Sequence, residues 1–238
     1  MKNQMTFKRY EIKYMLTPEQ RRLIQETMQP YMQLDSFGHS MIRNIYFDTD
    51  SYRLVRHSIE KPIYKEKLRM RSYQKAGQND DVFLELKKKY QSVVYKRRIL
   101  LPQQEAFQLV KHPLQIQTDS QIEKEIIYFC EYYRTLKPVV YLSYEREAYY
   151  TLDGSDFRVT FDEQILSRTD RLYLDEEPEG QPLLAKGMSV MEIKTPGGIP
   201  LWMTECLTKL RLYKTSYSKY GTAYQQTMTA AQGLYSAS

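Results

Sequence analysis

The sequence predicts an α+β fold. Three observations carry that prediction. Eight segments alternate with the period of two that marks strands. Helical stripes of apolar residues lie between several of them. Nearly every strand pairs one apolar row with one cationic or acidic row. The chain has 238 residues, 42% of them apolar, which is enough for a sizeable core. A closed β-structure of this length usually stays one domain. No linker, repeat or low-complexity run divides the chain, so one domain over residues 1–238 is expected.

The first strand is Phe7 to Leu16, with Phe7, Arg9, Glu11 and Lys13 on one face and Lys8, Tyr10, Ile12, Tyr14 and Leu16 on the other. A helix follows. Thr17 is its N-cap, Pro18 takes the first position, Gln20 closes a capping box, and Ile24 and Met28 continue the stripe to about Pro30. Met41 to Thr49 is the second strand and Tyr64 to Tyr73 the third. The turn-like Gly77-Gln78-Asn79-Asp80-Asp81 leads into the fourth, Val82 to Tyr90, and Ser92 to Leu101 is the fifth. Pro102 opens a short helix to about Lys111, and Ser120 to Leu136 is a longer one with Ile122, Ile126, Phe129 and Tyr133 on a stripe. Val139 to Tyr150 is the sixth strand. Phe157 to Leu166 is the seventh, across Asp153-Gly154-Ser155. Asp175 to Gly187 is acidic, contains two prolines and reads as an exposed loop. Ser189 to Thr195 is the eighth strand, and Pro200 to Leu212 and Ser218 to Ala231 are the last helices.

Composition narrows the function classes. The 35 Lys and Arg exceed the 29 Asp and Glu, giving a net charge of +6 and favouring a polyanionic partner. Two cysteines, Cys130 and Cys206, exclude a disulfide scaffold or Cys-based zinc site and fit a reducing compartment. Nine glycines form neither GxGxxG nor GxxxxGK[ST]. Met1 to Tyr10 has no apolar stretch, so no secretory signal is expected, and no run of apolar residues is long enough to span a membrane. A cytoplasmic location follows as the expectation. His39, His57 and His112 have no ligand spacing and are expected to be structural or exposed, Trp202 to pack under a helix, and the 22 tyrosines to pack rather than stack on bases.

The charged rows are too consistent for an ordinary half-buried sheet. They run Lys65, Lys67, Arg69, Arg71; Glu85, Lys87, Lys89; Lys96, Arg98; Arg146; Arg158, Thr160, Asp162; and Glu192, Lys194. In one geometry the apolar rows face a sandwich core and the charges are solvated outside. In the other the sheet closes, helices cover the apolar rows outside, and the charges line a water-filled interior. The helical stripes need a sheet to cover, which favours the second. Such an interior is strongly repulsive when empty of anions, whereas a polyphosphate inside it gives each cation charge-assisted hydrogen bonds. Glu11, Glu85, Asp162 and Glu192 then suit Mg²⁺ or Mn²⁺, hard cations that bridge phosphates.

The chain resembles the VTC-type polyphosphate polymerase domain of the triphosphate tunnel metalloenzymes, a CYTH-like superfamily. The matching pieces are RYEIKY (Arg9 to Tyr14), IYFDT (Ile45 to Thr49), KLRMRSY (Lys67 to Tyr73), LELKKK (Leu84 to Lys89), VYKRR (Val94 to Arg98), YLSYEREAY (Tyr141 to Tyr149), FRVTFD (Phe157 to Asp162), MEIKT (Met191 to Thr195) and YSKY (Tyr217 to Tyr220). The resemblance implies a closed eight-stranded antiparallel β-barrel, the triphosphate tunnel, with helices packed outside. It implies a metal-dependent enzyme that moves the γ-phosphate of ATP onto a polyphosphate chain.

It also implies site roles. Arg69, Arg71, Lys87, Arg146 and Arg158 match the catalytic tunnel cations. Lys13, Lys96, Lys194 and Lys219 match substrate-binding lysines, Lys219 at one tunnel mouth. Glu192 matches the main ligand of Mn²⁺ or Mg²⁺, with Glu11, Glu85 and Asp162 as further candidates; Glu85 suits an ion pair with a tunnel lysine equally well. Two positions depart from the pattern. The family's ExExK motif here begins with Arg9, so one acidic ligand is replaced, and Ser216 stands where relatives often carry a second lysine, for which Lys214 is a partial substitute. Lys65, Lys88 and Lys89 read as solvated strand ends. The implied partners are ATP and inorganic polyphosphate or triphosphate, without nucleic acid; carrying polymer across a membrane would need a separate membrane protein. Two alternatives share the site: a triphosphatase in which Glu11 or Glu85 orients water, and a non-catalytic polyphosphate-binding module.

Overall fold

The computed structural model describes residues 10–91 and 93–236. Arg9, and with it the start of the first motif, lies outside the described residues. In chain order the strands are β1 (Tyr10–Leu16), β2 (Met32–Asp48), β3 (Tyr64–Ser72), β4 (Asp81–Tyr90), β5 (Val93–Pro102), β6 (Lys137–Thr151), β7 (Arg158–Arg168), β8 (Gln181–Pro182) and β9 (Ser189–Thr195). The helices are α1 (Pro18–Met28), α2 (Arg53–Ile59), α3 (Gln103–Lys111), α4 (Gln121–Tyr133), α5 (Leu201–Lys209) and α6 (Lys219–Ser236). The strands form one sheet in the order β1-β9-β7-β6-β2-β3-β4-β5, with the two-residue β8 beside β7. The architecture is the α+β fold that the sequence predicts, but the closed barrel implied by the resemblance is not closed by hydrogen bonds among the described residues, where the path has two ends, β1 and β5.

The chain clusters into two compact units, and β2, β6 and β7 run through both. The first comprises residues up to Met41, Tyr144–Ile165 and Leu184–Tyr217; the second comprises Ile42–Ser143, Leu166–Leu183 and Ser218 onward.

The first unit builds its core from the apolar parity of β1, β7 and β9: Tyr14 and Leu16, Val159 and Phe161, Met191 and Ile193. Helices α1 and α5 cover this face with Ile24, Met28, Met203 and Leu207. Helix α1 starts where the capping box places it. Thr17 Oγ1 accepts from the Gln20 backbone at 3.2 Å, and the Gln20 side chain accepts from the Thr17 backbone at 3.0 Å. Trp202 packs as expected, stacked on Tyr31 with ring centroids 4.5 Å apart.

The second unit repeats the plan. Ile45, Phe47, Leu68, Met70, Leu84 and Leu86 form the dry face of β2, β3 and β4, and Leu109, Ile126 and Phe129 of α3 and α4 cover it. Both helix starts, after Pro102 and Ser120, fall where the sequence places them.

Individual elements differ from the sequence reading as well. Strand β2 begins at Met32 rather than Met41, because residues 33–40 leave most side chains outside and carry no apolar row to signal a strand. Helix α2 has no sequence start signal: Tyr52 at its N-cap has φ +55° and makes no side-chain cap bond. The buried Asp48 of IYFDT supplies the cap instead, accepting from the backbone N–H of Thr49, Leu54 and Val55 at 2.8, 2.8 and 2.9 Å. Tyr220 of α6 donates to the same carboxylate at 2.7 Å, so this motif aspartate ties α2 and α6 to the sheet.

Candidate functional site

Because side chains alternate along a strand, an apolar face under helices leaves the other parity as a second face. In each unit that second face carries the predicted site residues.

In the first unit the register aligns two cross-strand rows. One is Glu11–Lys194–Arg158 and the other Lys13–Glu192–Thr160. Glu192 is 9% exposed. Its two oxygens lie 3.1 Å from Lys194 Nζ and 3.7 Å from Lys13 Nζ. Lys13 also donates to the Tyr217 carbonyl at 3.0 Å. Beside Glu192, the buried hydroxyl of Thr160 makes no hydrogen bond among the described residues. Arg146 grips Asp162 with two N–H donors at 2.6 and 2.7 Å. Burial opposes the charge on this guanidinium, but Asp162 outweighs it and holds the Arg146 pKa well above the ordinary value. Arg158 is exposed, 3.5 Å from Asp156.

In the second unit four rows cross the face. They are Lys65–Lys89–Val94, Lys67–Lys87–Lys96, Tyr46–Arg69–Glu85–Arg98 and Asn44–Arg71–Phe83–Leu100. Glu85 is 1% exposed and central. Arg69 reaches its Oε2 through Nε and Nη2 at 2.8 and 2.7 Å, Arg71 stands 3.9 Å away, and Lys96 pairs with Oε1. Burial pushes the Glu85 carboxyl up, but Arg69, Arg71 and Lys96 overcome it and hold it far below the usual carboxylate range. Lys96 falls to about 8: burial lowers it, Glu85 resists, and Arg69 and Arg71 add to the fall. Arg71 also donates to the Asn44 side chain at 2.9 Å. Lys67 donates to Ser218 at 3.0 Å, which places the start of α6, and hence Lys219, next to the lysine row.

Tyr46 joins this set and was missed from sequence, where tyrosines read as packing. It is 8% exposed and accepts from Arg69 at 3.2 Å. Burial raises its pKa, yet Arg69, Lys67 and Arg71 bring it down to about 8. The available signal was parity, since Tyr46 sits opposite Ile45 and Phe47 on its strand.

Among the histidines, His39 is half-exposed as expected, but it has neighbours the spacing did not reveal. Its Nε2 lies 3.3 Å from Glu145 and 3.6 Å from Glu163, a grouping whose ligand atoms could hold a metal ion. These glutamates belong to the helix-side parity of β6 and β7, and Arg21 of α1 pairs with Glu163. Ser216 and Lys214 are both exposed. No described helix is long and apolar enough to cross a membrane.

No curated protein sequence matches the chain. Among solved structures it is similar to a candidate adenylate cyclase from Bacillus halodurans, at 16% identity and a TM-score of 0.50, covering 89% of this chain and 95% of that one. It is also similar to a candidate adenylyl cyclase from Hippeastrum reported with a dominant triphosphatase activity, at 14% identity and a TM-score of 0.53, covering 92% and 95%. At these identities the likeness is one of fold. The profile of the VTC domain matches residues 8–228, nearly the whole chain, so the chain belongs to the VTC domain family, on the fold of CYTH-like triphosphate tunnel proteins.

Proposed function

We propose that the protein is a metal-dependent phosphotransferase of the polyphosphate polymerase type, whose charged sheet faces bind the phosphate chain. The observation that carries this reading is the row Lys67–Lys87–Lys96 beside Arg69 and Arg71. Like charges directly opposite one another destabilise a sheet. Glu85 offsets part of that repulsion at Lys96, Arg69 and Arg71, and the oxygens of a triphosphate would engage the row as a whole.

In this reading Arg69, Arg71, Lys87, Arg146 and Arg158 hold the transferring and leaving phosphates, while Lys13, Lys96, Lys194 and Lys219 bind the rest of the chain. Phosphoryl transfer asks mainly for alignment and charge neutralisation. The acceptor oxygen of phosphate or polyphosphate is already ionised, so no general base is needed.

The family's divalent metal fits the first unit best. Glu192 pairs with two lysine ammonium groups, and the Thr160 hydroxyl beside it, unsatisfied among the described residues, offers a second hard oxygen. Glu11 shares that face, one row along. Asp162 spends both oxygens on the Arg146 guanidinium, and Glu85 gives one oxygen to guanidinium groups and the other to the Lys96 ammonium, which favours an ion-pair role for both. Mg²⁺ or Mn²⁺ bound at Glu192 supplies charge neutralisation at the phosphate oxygens.

A cytoplasmic location, where ATP is present, belongs to the same proposal. Hydrolysis is the second reading, favoured by the triphosphatase activity reported for the Hippeastrum protein. Incubation with ATP and Mn²⁺ separates the two: polymer on a gel supports transfer, free phosphate without polymer supports hydrolysis, and neither product leaves a binding module.

A further inference from the structure

The charged face of the second unit has two unlike ends. At one end the rows terminate in Lys65 and Lys89, where burial together with Lys89, Lys87 and Lys61 lowers the Lys65 pKa. At the other end the cations give way to rings. Tyr73 lies two residues beyond Arg71, Phe83 two residues before Glu85, and Leu100 two residues after Arg98, all on the same parity. Phe83 meets Tyr73 edge-on at 5.9 Å with an interplanar angle of 80°, and the Arg98 guanidinium lies 4.7 Å from the Phe83 ring centre.

These side chains do not serve the core. Phe83 is absent from the hydrophobic cluster that takes its neighbours Val82 and Leu84, and Tyr73 and Leu100 are 48% and 56% exposed. A corner of two perpendicular rings with a stacked guanidinium gives a planar heterocycle a ring face, a ring edge and a cation. Two strand residues span about 7 Å, roughly the reach of a ribose from a phosphate to its base. Unsubstituted polyphosphate would gain nothing from this end.

We propose that Phe83, Tyr73 and Arg98 form a nucleobase platform that selects a nucleoside triphosphate as the phosphate donor. The assignment rests on the triphosphate-binding reading of the neighbouring cations. It gives the face a direction, with the base at Phe83 and the phosphates running past Glu85 toward the lysine row.

Calorimetry on the unmodified protein with tripolyphosphate, ribose 5-triphosphate and ATP tests this without any substitution. Stacking on a ring strengthens binding roughly tenfold, so ATP should bind about tenfold more tightly than ribose 5-triphosphate. Phe83→Leu and Tyr73→Leu should erase most of that gap while ribose 5-triphosphate affinity stays level. Equal affinity for ATP and ribose 5-triphosphate in the unmodified protein overturns the platform alone, and so does a gap that survives both substitutions. A protein that binds none of the three overturns the triphosphate reading and the platform with it.

Discussion

Each unit places a carboxylate among cations on a sheet face, but the two arrangements differ in what holds them. Glu85, in the second unit, is 1% exposed and is gripped by two N–H donors of Arg69, by Lys96 and by the nearby Arg71. Glu192, in the first unit, meets the ammonium groups of Lys13 and Lys194 and acts electrostatically on the Arg146 guanidinium, and a hydroxyl with no partner among the described residues sits beside it. Guanidinium forks fix geometry, whereas an ammonium on a four-carbon stem is easily displaced. A carboxylate held by forks is a frame for arginines. One held by lysines can exchange partners with an incoming cation.

The test that could break this contrast most completely is Glu192→Gln. The substitution keeps shape and removes the charge that attracts a divalent ion. Turnover should fall roughly a thousandfold, as expected when the charge neutralising the transferring group is lost. Added Mn²⁺ should restore only part of it, and metal-free tripolyphosphate binding should hold or tighten because a negative charge has gone. Normal metal dependence in the mutant would reduce Glu192 to an ion-pair partner, no different in kind from Glu85.

Next in size is Arg71→Ala set against Lys89→Ala. Arg71 is 6% exposed, next to Glu85, and engaged with Asn44. Lys89 stands at the lysine end of the same face. Loss of a buried charge-assisted contact costs about 2 kcal/mol, while a solvated charge contributes little. Calorimetry with tripolyphosphate should show a drop of about thirtyfold for Arg71→Ala and less than threefold for Lys89→Ala. Equal losses would mean that the face acts as diffuse charge rather than as a built site.

The strands were legible because both units alternate an apolar row with a charged one, as Val159 and Phe161 do with Arg158, Thr160 and Asp162. The capping box at Thr17 and the prolines at 102 and 200 made three helix starts readable. Helix α2 was not readable, because its cap comes from Asp48, four residues before the N-cap position, in a segment that reads as a strand. The first half of β2 was hidden because it buries little. The cations were found by parity, but their pairing was not. A one-dimensional pattern cannot show that Arg69 and Lys96 meet on Glu85, nor that Tyr46 receives a hydrogen bond from Arg69, because those contacts depend on the register of four strands. The sequence made Glu192 the main metal candidate and left Glu85 evenly placed between ligand and ion-pair partner; the groups around Glu85 favour the ion pair.

The second unit's tight frame has a pH signature. Lys96 and Tyr46 both sit near 8 instead of their ordinary values of 10.5 and 10.0. Around Lys96 stand Glu85, Arg69, Arg71 and Lys87; around Tyr46 stand Lys67, Arg69, Arg71 and the Tyr220 ring, whose hydroxyl is committed to Asp48. An anion favours the protonated form of both groups. At pH 8 tripolyphosphate binding should therefore take up protons, and affinity should fall as pH rises from 7 to 9. The folding contribution runs the other way: between about 8 and 10 the unfolded chain holds more protons at both groups, so their share of stability rises with pH. Titrations in buffers of different ionisation enthalpy measure the uptake. Lys96→Arg should remove one part and Tyr46→Phe another, while tripolyphosphate's own ionisation cancels in the comparison. Unchanged uptake in both variants would detach these groups from the bound anion.

The smallest expected effect sharpens the first unit. Thr160 is buried opposite Glu192, and its hydroxyl is unsatisfied among the described residues. An unpaired buried hydroxyl contributes nothing to the fold, so Thr160→Val, similar in shape and suited to a strand, should leave stability within about 0.5 kcal/mol or raise it. A purely structural role ends there. If the hydroxyl completes the set around Glu192, the same change should weaken Mn²⁺ binding by about threefold to tenfold, roughly 1 kcal/mol, and raise the Mn²⁺ concentration needed for half-maximal turnover by a similar factor. Thr160→Ser, which restores the oxygen but not the methyl, should recover the metal response while losing some strand packing. That crossed pattern, metal response following the oxygen and stability following the methyl, separates a ligand from a filler. If Val and Ser variants respond to Mn²⁺ alike, Glu192 holds its partner without Thr160.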